Sequence, residues 1–168
     1  MPLGSDYGGQ SCALARALEI LGERWTLLIV RDAFHGLTRY DEFLRSLGLA
    51  SNMLSTRLQK LVEHGVLEQT GSRGSYHLTQ KGRDLFPVIL TLMAWADRYQ
   101  PGPNGPEVLI QHTSCGHEAG GSLQCEHCGD PITLSDLQVM PAPGAVGHDG
   151  KPTTLTPPQL AAWSGRAP

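Results

Sequence analysis

Residues 101–106, Pro101-Gly102-Pro103-Asn104-Gly105-Pro106, cut this 168-residue chain in two. Three prolines lack the amide that a helix or a strand ladder needs, and two glycines bring no side chain to pack, so the stretch is a linker. Before it, the apolar spacing is that of packed helices. After it, apolar residues thin out and His and Cys gather. A chain of this length buries one ordinary core of roughly 100 residues and carries an appendage. The division expected is 1–100, then a linker and small β extension over 101–138, then an irregular arm over 139–168.

Ala13, Leu14, Ala17, Leu18 and Leu21 repeat at helical spacing until Gly22 stops them. A second helix is expected through Trp25, Leu28 and Ile29, ending near Phe34. Thr38 has the hydroxyl to cap a third helix through Phe43, Leu44 and Leu47, and Asp41 and Glu42 suit its positive end. After Gly48-Leu49-Ala50, Ser51 is expected to cap a fourth helix with the stripe Leu54, Leu58, Leu61 and Val62. Two helices joined by so short a turn make a helix-turn-helix.

The period then changes. Residues 66–70 and 75–78 read as short strands around the turn Gly71-Ser72-Arg73-Gly74. Thr79 is expected to open one long last helix carrying Leu85, Ile89, Leu92, Met93 and Trp95, more apolar surface than a peripheral helix needs. Helices, then a hairpin, then a helix is the order of a winged helix. At 100° per residue, Asn52, Ser55, Thr56, Gln59 and Lys60 lie opposite the apolar stripe of the fourth helix.

That outer face suits the major groove, because amides, hydroxyls and cations read base edges while phosphates repel acids. Asn52 and Gln59 are the candidate base readers. Ser51, Ser55, Thr56, Arg57 and Lys60 are candidate contacts to phosphates or base edges, with Arg39, Tyr40 and the hairpin's Arg73 as backbone anchors. The formal net charge of −3 points the other way until it is divided. Residues 1–100 hold 11 basic and 10 acidic side chains, and residues 101–168 hold 2 and 6, so the acidity sits in the tail.

Four spaced blocks carry a family resemblance: Cys12-Ala13-Leu14-Ala15-Arg16-Ala17-Leu18, Gly22-Glu23-Arg24-Trp25-Thr26-Leu27-Leu28-Ile29-Val30-Arg31-Asp32, Ser51-Asn52-Met53-Leu54-Ser55-Thr56-Arg57-Leu58 and Tyr76-His77-Leu78-Thr79-Gln80-Lys81-Gly82. Over about residues 10–100 the chain resembles the HxlR family of bacterial regulators. The resemblance implies a homodimer paired through its first and last helices and binding palindromic double-stranded DNA. It also makes Cys12 a candidate redox or electrophile sensor. A helix N-terminus and Arg16 one turn on favour a thiolate there, while a small buried residue at the dimer edge is the plainer alternative. Trp25, Met93 and Trp95 mark a candidate effector pocket, set against ordinary core.

In the second half, Glu107–His112 alternates as a strand does, and His112-x2-Cys115-x9-Cys125-x2-Cys128-Gly129 follows. Two residues between thiolates let both sulfurs face one ion, and the next glycine permits the tight turn. His112, Cys115, Cys125 and Cys128 form a closed set suited to tetrahedral zinc in a structural role, with His117 and His127 as rival fourth ligands. Free thiols or one disulfide in a β-ribbon stay open as the alternative. A thiol oxidoreductase is disfavoured, because that motif opens a helix and Gly129-Asp130-Pro131 does not. Thr156-Pro157-Pro158 has the composition to start a short helix ending at Trp163.

The expected fold is α+β, a winged helix-turn-helix with a small β-rich, zinc-ribbon-like C-terminal extension. The expected function is a sequence-specific repressor acting as a homodimer, under control of a small molecule or of thiol oxidation. The alternative from another class is a metal-responsive or protein-docking module. No spacing signals an enzyme. No apolar run reaches the roughly 18 residues of a membrane span, and the N-terminus lacks a secretory pattern, so a cytoplasmic protein without a membrane partner is expected.

Overall fold

The computed structural model describes residues 13–71, 74–119, 124–125, 127–133, 136–141 and 143–144. The chain forms two compact units, one of residues up to 33 together with 37–83, the other of residues 34–36 together with 84 onward.

The first unit runs α1 (Ala13–Leu21), α2 (Thr26–Phe34, whose last residue falls in the second unit), α3 (Tyr40–Leu47), α4 (Ser51–Glu63), β1 (Leu67–Thr70), β2 (Ser75–Leu78) and α5 (Gln80–Arg83). Strands β1 and β2 pair antiparallel, Leu67 opposite Leu78 and Thr70 opposite Ser75. The amide of Tyr76 donates to the carbonyl of Thr38 at 2.7 Å, which stitches the hairpin to the segment before α3. Ile29, Val30, Phe43, Leu54, Leu58, Leu61, Val66 and Leu67 are almost fully buried. Phe43 meets the Tyr76 ring edge-on at 6.4 Å.

Helix ends differ from expectation by about one residue, for identifiable reasons. Arg39, not Thr38, is the N-cap of α3, and Glu42 turns back so that its carboxylate accepts the amides of both Thr38 and Arg39. A carboxylate at the third helical position thus satisfies the two amides just ahead of the helix. Ala50 takes the N-cap of α4, so Ser51 is already helical. Gly48 closes α3 in the left-handed region, at φ 60°, where a side chain is disfavoured, and this lets the chain turn within three residues into α4. Trp25 also stands at positive φ, 79°, in the turn ahead of α2 rather than inside the helix.

The expected long helix after Thr79 is two helices. Thr79 does cap the first, α5, through its hydroxyl to the Gly82 amide at 3.1 Å. The second is α6 (Phe86–Tyr99), with Pro87 in its first turn. Pro87 has no amide to donate to Arg83 and its ring collides with that carbonyl, so a helix cannot run through. The restart turns Val88, Leu92, Trp95 and Tyr99 outward at spacings of 4, 3 and 4, while Phe86, Ile89 and Leu90 are buried.

Beyond α6 the second unit holds β3 (Val108–His112) and β4 (Leu137–Pro141), antiparallel, with Val108 opposite Pro141 and His112 opposite Leu137. Strand β4 runs through residue 139, where the irregular arm was expected to begin. Bridges at Gln111–Glu118 and Gln124–Pro131 complete a ribbon. Its buried side chains among the described residues are Ile110, His112, Ala119, Cys125, Ile132 and Leu137. No helix among the described residues is long and apolar enough to cross a membrane. The short helix expected near Trp163 lies outside the described residues.

Candidate nucleic-acid interface and metal centre

Helix α4 buries Leu54, Leu58 and Leu61 and leaves Ser51, Asn52, Ser55, Thr56, Gln59 and Lys60 exposed. Several of these polar groups are already held locally. Thr56 Oγ1 donates to the Asn52 carbonyl at 2.9 Å, and Asn52 Oδ1 accepts the Met53 amide at 2.8 Å. Gln59 Nε2 donates to Glu63 Oε1 at 2.8 Å, so a carboxylate closes the C-terminal end of this face, one turn beyond the nearly acid-free stretch.

Tyr40 does not simply project as a backbone anchor. Its hydroxyl donates to the Ser51 carbonyl at 2.7 Å and lies 3.1 Å from Ser55 Oγ, tying the start of α3 to the first turn of α4. The cations are engaged as well. Arg39 pairs with Asp41 at 3.1 Å, and that guanidinium holds the Asp41 carboxyl below its ordinary pKa. Arg57 pairs with Glu23 at 2.8 Å and reaches the Arg24 carbonyl at 3.3 Å, while Lys60 stands 3.6 Å from the other oxygen of Glu23. Glu23 had no part in the expected interface, since nothing local in the sequence marks a residue 34 positions from Arg57 as its partner.

Arg73 and Cys12 lie outside the described residues. Of the expected effector pocket, Trp25 is half-buried under the Arg24 guanidinium, 5.5 Å from the ring centroid. Met93 is half-buried on α6, and Trp95 is 55% exposed and tilted against Tyr99.

In the ribbon, His112, Cys115, Cys125 and Cys128 bring one ligand atom each to within 4.8 Å of all the others. His112 Nδ1 lies 3.3 Å from Cys115 Sγ and 3.7 Å from Cys128 Sγ, and Cys115 Sγ lies 3.5 Å from Cys125 Sγ. Metal–sulfur bonds of about 2.3 Å and metal–nitrogen bonds of about 2.0 Å give tetrahedral edges of roughly 3.8 Å between sulfurs and 3.5 Å between nitrogen and sulfur. The observed edges fall within a few tenths of an ångström of these. They are far from the roughly 2.05 Å of a disulfide. The donor set is therefore compatible with a metal ion.

Both halves of the set are built alike. In His112-x2-Cys115-Gly116, the Gly116 amide donates to the His112 carbonyl at 2.8 Å and the His112 amide to the His117 carbonyl at 2.8 Å. In Cys125-x2-Cys128-Gly129, the Gly129 amide donates to Cys125 and the Cys125 amide to Asp130, each at 2.8 Å. Gly116 and Gly129 stand at φ 72° and 76°, the left-handed step that both tight turns require. Only the second turn was read from the sequence as a knuckle, although the same x2-then-Gly spacing marked the first. His117 and His127 stack on each other outside the set, ring centroids 3.4 Å apart.

The sulfurs differ in their affinity for protons. The backbone amides of Cys128 and His127 aim at Cys125 and bring its thiol down to about 6 in spite of desolvation. At Cys128 the Asp130 amide pulls the same way, but desolvation and the neighbouring sulfurs outweigh it and push the thiol up to about 11. A divalent cation would hold all three as thiolates.

The protein-family model described as HxlR-like helix-turn-helix matches residues 20–103. An uncharacterized HTH-type transcriptional regulator of Mycobacterium tuberculosis is 44% identical over 147 residues, covering 84% of this chain and 92% of the relative. The HTH-type transcriptional regulator YodB of Bacillus subtilis is 37% identical over 93 residues, 51% of this chain and 83% of YodB. A crystal structure of YodB holds a quinone and superposes with a TM-score of 0.48, at 31% identity over 52% of this chain and 99% of that one. The crystal structure of PA1607, assigned as a transcription factor, superposes with a TM-score of 0.61 at 41% identity, over 75% of this chain and 92% of that one.

Proposed function

The chain belongs to the HxlR-like helix-turn-helix family of transcriptional regulators, and from that premise we propose that it is a repressor that binds a palindromic operator as a homodimer. The observation that carries the reading is the outer face of α4, where Asn52, Ser55, Thr56 and Gln59 stand exposed above a buried leucine stripe. Asn52 and Gln59 read base edges, Ser51, Ser55 and Thr56 meet phosphates, and Arg39 and Arg73 hold the backbone to either side. Residues 1–100 supply DNA binding and dimerisation in this reading, and the linker and ribbon follow, as far as the end of β4 at Pro141.

The outward stripe Val88, Leu92, Trp95 and Tyr99 on α6, between 47% and 61% exposed, and Leu14 on α1, 68% exposed, support pairing through the first and last helices. Twofold symmetry then sets half-sites about one DNA turn, or a multiple of it, apart. Zinc in the Cys3His set holds the ribbon, and with four protein ligands it leaves no position for a substrate. A small molecule, or oxidation of Cys12, shifts the dimer between binding and non-binding forms. The quinone bound by YodB is the first effector to try.

A gel-shift with the DNA upstream of the chain's own gene tests the reading. Asn52→Ala and Gln59→Ala should each weaken binding by about 1–3 kcal/mol, since each removes one bidentate base contact. Binding unchanged in both variants removes α4 as the reading helix.

A further inference from the structure

Two of the cations that α4 offers DNA share one carboxylate. Glu23 sits in the turn between α1 and α2, its Oε2 2.8 Å from Arg57 and its Oε1 3.6 Å from Lys60. The turn is well fixed. The Gly22 amide donates to Leu18, the Thr26 amide to the Glu23 carbonyl and the Ile29 amide to the Trp25 carbonyl, and Trp25 holds a left-handed backbone that a bulky residue seldom adopts. Arg57 is further tied to this turn through the Arg24 carbonyl. Glu23 and Lys60 are about half exposed. A carboxylate with one oxygen on each of two cations presents the same chemistry as a DNA phosphate in that place.

We propose that Glu23 is an internal substitute for a DNA phosphate, which occupies Arg57 and Lys60 and so lowers the part of the chain's DNA affinity that does not depend on sequence. The Arg57 side chain is 16% exposed and that of Lys60 48%, so DNA draws Lys60 away at smaller cost than Arg57. Each cation that stays on Glu23 is nevertheless one phosphate contact fewer, and phosphate contacts supply nearly all non-specific affinity. A regulator must find its operator among a vast excess of other sites, so an internal anion beside the reading helix limits the protein held on those sites. The inference rests on α4 as the DNA-binding helix.

Fluorescence anisotropy of native chain and Glu23→Gln, on the upstream duplex and on an unrelated duplex of equal length, across a salt series, tests it. Glu23→Gln should bind both duplexes more tightly, by the same factor. Its log affinity should fall more steeply with log salt, by about 0.9 for each cation released. One released cation then means an additional loss of about 3.5-fold between roughly 50 and 200 mM salt. In a Lys60→Gln background the added steepness should fall by about half. Weaker binding or an unchanged slope in Glu23→Gln overturns the proposal and makes Glu23 a brace for α4. An undiminished gain without Lys60 also overturns it, as a bare loss of negative charge. Asn52→Ala keeps the two readings apart, because it should weaken only the upstream duplex. Failure of that contrast strikes the assignment of α4, not Glu23.

Discussion

In the winged helix, side chains of α2, α3, α4 and the head of the hairpin close on one another until Ile29, Val30, Phe43, Leu54, Leu58 and Leu61 are almost fully buried. In the ribbon, the buried set among the described residues is Ile110, Ala119, Ile132 and Leu137 with two ligands, His112 and Cys125. These few side chains contribute less toward the entropy of ordering a backbone than the larger set of the winged helix does. Under the proposed zinc assignment, four ligands on one ion supply the rest. The two regions of one chain thus depend on different forces and should fail under different insults.

The largest effect expected is on the ribbon. A strong chelator, or Cys125→Ser, should empty the Cys3His set and open residues 107–141 to protease, as zinc fingers unfold without metal. The cooperative thermal transition of the winged helix should persist. Metal content and limited proteolysis measure this, and a ribbon that stays protected after metal loss breaks the comparison. Next in size is the reverse experiment. Leu58→Ala removes a fully buried side chain and should destabilise the winged helix by about 2–5 kcal/mol in denaturant unfolding, with metal content unchanged.

A smaller effect is expected from Tyr40→Phe. It removes the hydroxyl that ties α3 to Ser51 and Ser55, at a cost of about 0.5–1.5 kcal/mol. Thermal melting should register it, and only in the transition of the winged helix. The smallest concerns the stacked imidazoles. His117→Ala and His127→Ala should leave the metal-to-chain ratio where it was, since both rings stand outside the ligand set. A drop in either variant moves the fourth ligand away from His112.

The winged helix was legible because its signals are local and repeated. The leucine stripe of α4, the glycines at 48 and 65, and the switch to two short strands around residues 71–74 each follow from periods of 3.6 and 2 and from turn chemistry. The failures were also local and had competing causes. Glu42 took over the cap expected of Thr38, and Pro87 broke the helix that Thr79 began. The ligand spacing of the ribbon was legible too. The sequence favoured His112 and kept His117 and His127 as rivals, because spacing alone does not say which way an imidazole turns.

By itself the sequence determined the order of elements as far as the hairpin, the place of the linker, the polar face of α4 and the cysteines and histidines able to ligate a metal. These depend on what each residue is and on neighbours a few positions away. Only the tertiary structure decided that Glu23 lies on Arg57 and Lys60, that Tyr40 fastens α3 to α4, and that His112 converges with the three cysteines while His117 and His127 stack on each other. Each of these is a contact between residues brought together by packing of separate elements or by chain reversal. Chain reversal costs only slowly more with loop length, so sequence distance carries almost no record of it.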